Sequence, residues 1–121
     1  MLTVLVADDE FAVLEVLSMA LEGEGHRVLK AGDGADALRI LSHQACDIVI
    51  CDEHMPMMNG PQLVTAMKAE PRFVNVAIIM MADTWGRALP EIDGVSVLGK
   101  PIMLSALFAE VQRLGAARKK L

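Results

Sequence analysis

The chain has 121 residues, 54% hydrophobic and 22% charged, which predicts a single globular domain over 1–121 that buries about two thirds of its unfolded surface. A net charge of −5 and an aromatic content of 3% exclude a protein whose main task is gripping nucleic acid through phosphates or stacked bases. No apolar run approaches the ~20 residues of a membrane span and no charged leader precedes an apolar core, so the expectation is a soluble, cytoplasmic chain without membrane contact.

Five apolar blocks follow one another, each leading into a helical pattern. Leu2 to Ala7 comes first and runs into Asp8-Asp9-Glu10, after which Val13, Leu14, Leu17, Ala20 and Leu21 recur at helical spacing until "EGEGH" at 22 to 26 stops the helix. Arg27 to Ala31 is the second strand. "GDGA" at 32 to 35 opens a helix carrying Ala37, Leu38 and Leu41. Cys46 and Cys51 lack CxxC spacing and read as buried free thiols, and His26, His43 and His54 show no zinc-ligand spacing.

The third strand, Ile48 to Cys51, is apolar without alternation, as in a strand covered on both faces, and Asp52 follows it directly. "NGP" at 59 to 61 then gives a turn with Pro61 near a helix start, and Leu63, Val64 and Met67 form the next stripe. Val76 to Met81 is the fourth strand. In "ADTWGRALPEIDG", Gly86 and Pro90 leave room for one or two helical turns, so the fourth helix is expected to be short or irregular. Val95 to Leu98 precedes Lys100-Pro101, and Leu104, Leu107, Phe108 and Val111 mark the last helix. The basic "ARKK" at 117 to 120 reads as complementing that helix's dipole. The nine methionines, Met55, Met57, Met58, Met80 and Met81 among them, read as core filler.

Alternating β and α units with short links imply an α/β fold, a doubly wound parallel sheet with helices on both faces. Parallel strands bring Asp8-Asp9, Asp52 and Lys100 to one edge of that sheet, where open α/β sheets bind ligands. Taken singly, an aspartate there can cap a helix or sit in an Asx turn, and a lysine can be merely solvated. Taken together, three carboxylates repel by about 1 kcal/mol per pair in water and about 4 kcal/mol when partly buried, so the cluster calls for a cation. Oxygen ligands with open positions suit Mg²⁺, and a metal and a lysine beside a carboxylate nucleophile can accept a phosphoryl group.

The acidic pair Asp8-Asp9, the run D-x-x-M-P-x-M-x-G realised as Asp52, Met55, Pro56, Met58 and Gly60, and the dipeptide Lys100-Pro101 span essentially the whole chain. With them the sequence resembles a response-regulator receiver domain of two-component signalling, of the chemotaxis-regulator kind. The resemblance implies a flavodoxin-like five-stranded sheet of order 2-1-3-4-5, with Asp52 as phosphoacceptor. Asp9, Asp8, Asp52 and the backbone carbonyl of His54 would hold Mg²⁺, Lys100 would pair with the phosphoryl oxygens, and the bond to Pro101 would be cis. It also implies a sensor histidine kinase or histidine phosphotransfer protein as donor and an unnamed protein as target. No chemistry beyond self-phosphorylation and autodephosphorylation is implied.

The sequence departs from the family at its switch positions. Ala82 stands where the family carries Thr or Ser, and Val97 where it carries Tyr or Phe. Thr84 is an alternative source of the hydroxyl, Trp85 reads as a surface packing residue or a switch, and His54 as an exposed loop histidine or a group tuning dephosphorylation. A second reading is therefore a pseudo-receiver that binds a partner constitutively. A Mg²⁺-dependent phosphatase is disfavoured because His54 occupies the place of its second aspartate, and a flavin carrier because the first strand leads into acid.

Overall fold

The structure is a computed structural model describing residues 1–119, with side chains to residue 117. Strands β1 (Thr3–Ala7), β2 (Arg27–Ala31), β3 (Ile48–Asp52), β4 (Ala77–Ala82) and β5 (Val95–Gly99) form one sheet of order β2-β1-β3-β4-β5. All four pairings are parallel. Helices α1 (Phe11–Gly23), α2 (Gly34–Leu41), α3 (Gly60–Lys68) and α4 (Leu104–Lys119) complete the described elements, with a 3₁₀ turn at Pro71–Phe73. The expected doubly wound α/β sheet is therefore present.

The central strands are apolar because both faces are covered. Alternate residues of β1, β3 and β4 go to opposite sides: Leu5, Val49, Cys51 and Met80 pack with Leu63, Val64 and Met67 of α3. Val4, Val6, Ile48, Ile50 and Met81 pack with Leu14, Leu17 and Leu21 of α1 and Leu107 and Val111 of α4. Burying each such side chain stabilises the fold by about 1.5–3 kcal/mol, which fixes strand register wherever a one-residue slip would turn these side chains to the wrong layer.

Two local findings differ from the sequence expectations, and a third falls within them. Asp52 is the last residue of β3 rather than the one after it, and Ala82 likewise closes β4. The segment between β4 and β5, residues 83–94, contains no helix and forms turns at Thr84–Arg87, where the Arg87 N–H donates to the Thr84 carbonyl (3.2 Å), and around Gly94. Of the short and the irregular forms expected there, the irregular one is found. Met55, Met67, Met80 and Met81 are buried, but Met1, Met19, Met57 and Met103 are exposed, which corrects the reading of the methionines as core filler. The side chains of Arg118 and Lys119, and Lys120 altogether, lie outside the described residues, so the expectation for the basic tail has no structural counterpart.

The loop from β3 to α3 is held at both ends. Asn59 caps α3 in a reciprocal box, its Oδ1 accepting from the Gln62 N–H and its own N–H donating to Gln62 Oε1, both at 2.9 Å. The Gly34 N–H donates to the Met58 carbonyl (3.1 Å), tying the loop to the start of α2. Gly60 sits against the end of β3, where an added Cβ would lie 2.6 Å from the Asp52 carbonyl oxygen and 3.0 Å from Glu53 Cα. The two nearest atoms are backbone, which cannot yield as the Met80 Sδ, 3.1 Å away, could. Gly60→Ala is expected to destabilise the fold by at least about 2 kcal/mol in urea unfolding, and an unchanged midpoint would show that the close approach carries no constraint.

Candidate functional site

Sheet geometry assembles the site. The register Val6↔Ile50 and Ala7↔Cys51 brings the ends of β1 and β3 level, and Asp52↔Met81 and Ala82↔Gly99 carry that alignment across to β5. The residues just past or at these ends then converge. Asp8 and Asp52 are 2% and 3% exposed, Asp9 is exposed, and one carboxylate oxygen from each lies within 4.8 Å of the others. Lys100 follows β5 through its N–H bond to the Ala82 carbonyl (2.8 Å), and its Nζ lies 2.7 Å from Asp52 Oδ1. The Lys100-Pro101 peptide bond is cis, as expected. Neither Asp8 nor Asp9 is the N-cap of α1, which is Glu10; the Glu10 N–H instead donates to Asp8 Oδ1 at 2.9 Å.

Electrostatics at this edge are unbalanced. Burial raises the pKa of Asp8, the Glu10 N–H opposes that shift, and the nearby Asp52 charge adds to it. Partial burial works against the Lys100 charge, but the Asp52 carboxylate, with Asp8 and Glu10 behind it, outweighs burial and raises the lysine's pKa. Behind Asp52, burial pushes the Cys51 thiol up to about 12 and the Asp52 charge adds to this, so Cys51 is an unreactive packing group. Cys46 is buried as well. Three carboxylates offering only hard oxygen donors against one lysine fit a small divalent cation such as Mg²⁺.

The remaining positions singled out from sequence lie around this centre. Ala82 is fully buried, and Val97 is half-buried against the layer containing α2 and α3. Thr84 is exposed. The His54 side chain is 71% exposed, with Nε2 3.4 Å from Glu53 Oε1 and 3.9 Å from Asp83 Oδ2. Sequence reading missed a second polar group: the nearly buried Glu53 carboxylate is bonded by the Arg87 guanidinium, which also lies 4.0 Å from Asp83 Oδ1. Arg87 and Glu53 are 34 positions apart. No short-range spacing rule connects them.

A profile of the response regulator receiver domain matches residues 4–112. The chain belongs to the response regulator receiver domain family. The receiver is 33% identical over 113 residues to the transcriptional regulatory protein PrrA of Mycobacterium bovis, covering 92% of this chain but 48% of that protein, so it spans about half that relative's length. It is 30% identical over 121 residues to a probable chemotaxis protein CheY of Rhizobium etli, covering 96% of this chain and 94% of the relative. Among solved structures it superposes on the chemotaxis response regulator CheY4 of Vibrio cholerae with a TM-score of 0.84 at 28% identity, over 94% of this receiver and 98% of that chain. Receivers are signalling modules rather than conventional enzymes. Among the described residues, no helix is long and apolar enough to cross a membrane.

The raised Asp8 pKa has a defined sign in stability. Ionising Asp8 costs the folded state more than the unfolded one, so the cost is absent below the ordinary value of 3.8, grows as pH rises from there to the raised value, and is complete above it. Asp8→Asn keeps an oxygen for the Glu10 N–H and is expected to raise the metal-free melting temperature at pH 7 by a few degrees, corresponding to about 1 kcal/mol. Mg²⁺ is expected to stabilise the wild type more than this variant. Calorimetry with and without Mg²⁺ reads both effects, and a lower metal-free melting temperature for Asp8→Asn contradicts the assignment.

Proposed function

We propose that this chain is one receiver domain over 1–121 that accepts a phosphoryl group on Asp52 from a sensor histidine kinase or histidine phosphotransfer protein. The observation that carries the reading is the pairing of a nearly buried Asp52 with Lys100 at 2.7 Å, beside two further carboxylates. Asp8, Asp9 and Asp52 would hold Mg²⁺, with the backbone carbonyl of His54 as a further ligand. The metal supplies charge neutralisation where oxygen charge gathers around phosphorus.

An Asp52 carboxylate oxygen attacks phosphorus, the P–N bond to the donor imidazole breaks, and its electron pair returns to the imidazole nitrogen. Lys100 leaves Asp52 Oδ1 for a phosphoryl oxygen and keeps its positive charge against the growing negative one. Asp52 is only 3% exposed, which limits the bulk water around its carboxylate. Output passes through a protein partner or through a domain joined to the receiver. The net charge of −5 argues against nucleic acid for these 121 residues and bears on no fused domain.

Ala82 and Val97 bring neither hydroxyl nor ring to the positions where the family's switch acts, and the irregular 83–94 segment departs further from a helical output face. These observations favour a second reading, a pseudo-receiver that binds a partner constitutively. Intact-mass analysis after incubation with acetyl phosphate separates the two. A single phosphoryl adduct that requires Mg²⁺ and is lost in Asp52→Asn is expected, forming about a hundredfold more slowly in Lys100→Met. Absence of an adduct on folded wild type with Mg²⁺ present overturns phosphoryl acceptance and leaves the pseudo-receiver.

A further inference from the structure

Resting on the assignment of Asp52 as acceptor, we infer that Arg87 is a second cationic ligand of the phosphoryl group, held in reserve by Glu53 in the unphosphorylated chain. Four observations meet at this residue. Ala82 ends β4 fully buried with only a methyl group, so no side-chain donor comes from that strand end. Arg87 reaches over the same edge of the sheet, and its guanidinium is anchored on Glu53, the residue directly after Asp52, whose Cα lies about 3.8 Å from that of Asp52 across a trans peptide bond. The residues that carry Arg87 share an open groove with the lysine: Asp83, Thr84, Trp85 and Gly86 line it with Lys100 and Pro101. Gly86, at a φ of +66°, gives the backbone just before Arg87 a conformation that other residues rarely adopt.

The charges around the guanidinium set the direction of the exchange. In the resting chain Arg87 faces Glu53 and, more distantly, Asp83, with His54 on the same carboxylates. Its side chain is 41% exposed, while Glu53 is 9% exposed, so the arginine is the mobile partner and the glutamate the fixed one. Phosphorylation replaces the one carboxylate charge of Asp52 with about two on the phosphoryl group, a net gain of about one, and brings three acceptor oxygens one residue away. A planar guanidinium can bond two of those oxygens at once, a geometry that a single carboxylate oxygen of Glu53 does not offer. Arg87 moves toward the phosphoryl group and draws with it the turn bearing Trp85, which is 89% exposed at rest. The donor that the family obtains from a strand-end hydroxyl comes here from the following segment, and Trp85 is the surface that changes.

Beryllofluoride in the presence of Mg²⁺, followed by ¹⁹F NMR, is the probe, because it occupies the acceptor as a phosphoryl mimic without requiring a donor. Arg87→Ala is expected to weaken beryllofluoride binding about 10- to 100-fold, with Arg87→Lys between it and wild type. Glu53→Gln frees the guanidinium and is expected to tighten binding, and this gain is expected to vanish when Arg87→Ala is combined with it. A Glu53→Gln gain that persists without Arg87 is simple removal of repulsion and overturns the exchange. Equal binding by wild type and Arg87→Ala also overturns it while leaving Asp52 as acceptor. No beryllofluoride binding by wild type removes the acceptor assignment, and the inference falls with it.

Discussion

The structure turns on charge placed where a parallel sheet ends. Asp8 and Asp52 are almost fully buried, lie with Asp9 within 4.8 Å, and have one nearby lysine among the described residues, Lys100 at 2.7 Å from Asp52. Such a cluster costs stability in the absence of a cation, because the two buried carboxylates have surrendered water without gaining full compensation. The cost is tolerated because the surrounding sheet holds the chain there: β1, β3 and β4 are buried on both faces and cannot slip without exposing an entire apolar layer. Core packing thus maintains an electrostatic imbalance at this edge, one that the proposed cation would relieve.

Around that centre, the supports are mainly backbone contacts. Gly60 lets α3 begin against the Asp52 carbonyl, and Gly34 lets α2 approach the Met58 carbonyl, where an added Cβ would lie 2.2 Å away. The loop between them is further shaped by Met57, which adopts a φ of 68° despite its side chain. On the other side of the site the restraint is electrostatic, through Arg87 and Glu53. This edge of the sheet therefore has one wall fixed by close backbone packing and one held by the Arg87–Glu53 ion pair.

Most of this centre was legible in the sequence because its signals are local. A short apolar run followed by an acid or a lysine marks a strand end, and parallel topology places all such ends on one edge; Asp8, Asp9, Asp52 and Lys100 follow from those two facts. Ala82 and Val97 stood out only against the pattern of the family that the sequence resembles, not through any local signal. The 83–94 segment was legible only as a conflict between Gly86 and Pro90 and a helix, and turns with packing onto β5 resolved it. Arg87 and Glu53 were not legible at all, since their pairing depends on how an irregular segment folds back across the sheet edge. The exposed methionines were misread because composition gives residue types but not faces; Met57 lies in a turn whose backbone directs its side chain to solvent.

The most direct test of the charge imbalance is a metal-free double-mutant cycle on Lys100 and Asp52, read by urea unfolding at pH 7. Lys100→Met alone leaves Asp8 and Asp52 facing each other and is expected to destabilise by about 2 kcal/mol, less than for a fully buried pair because Lys100 is one-third exposed. In the Asp52→Asn background the same change is expected to cost little, giving a coupling above about 1 kcal/mol. Additivity of the two substitutions to within about 0.5 kcal/mol would contradict the account, since the lysine would then not be compensating the buried carboxylates at all.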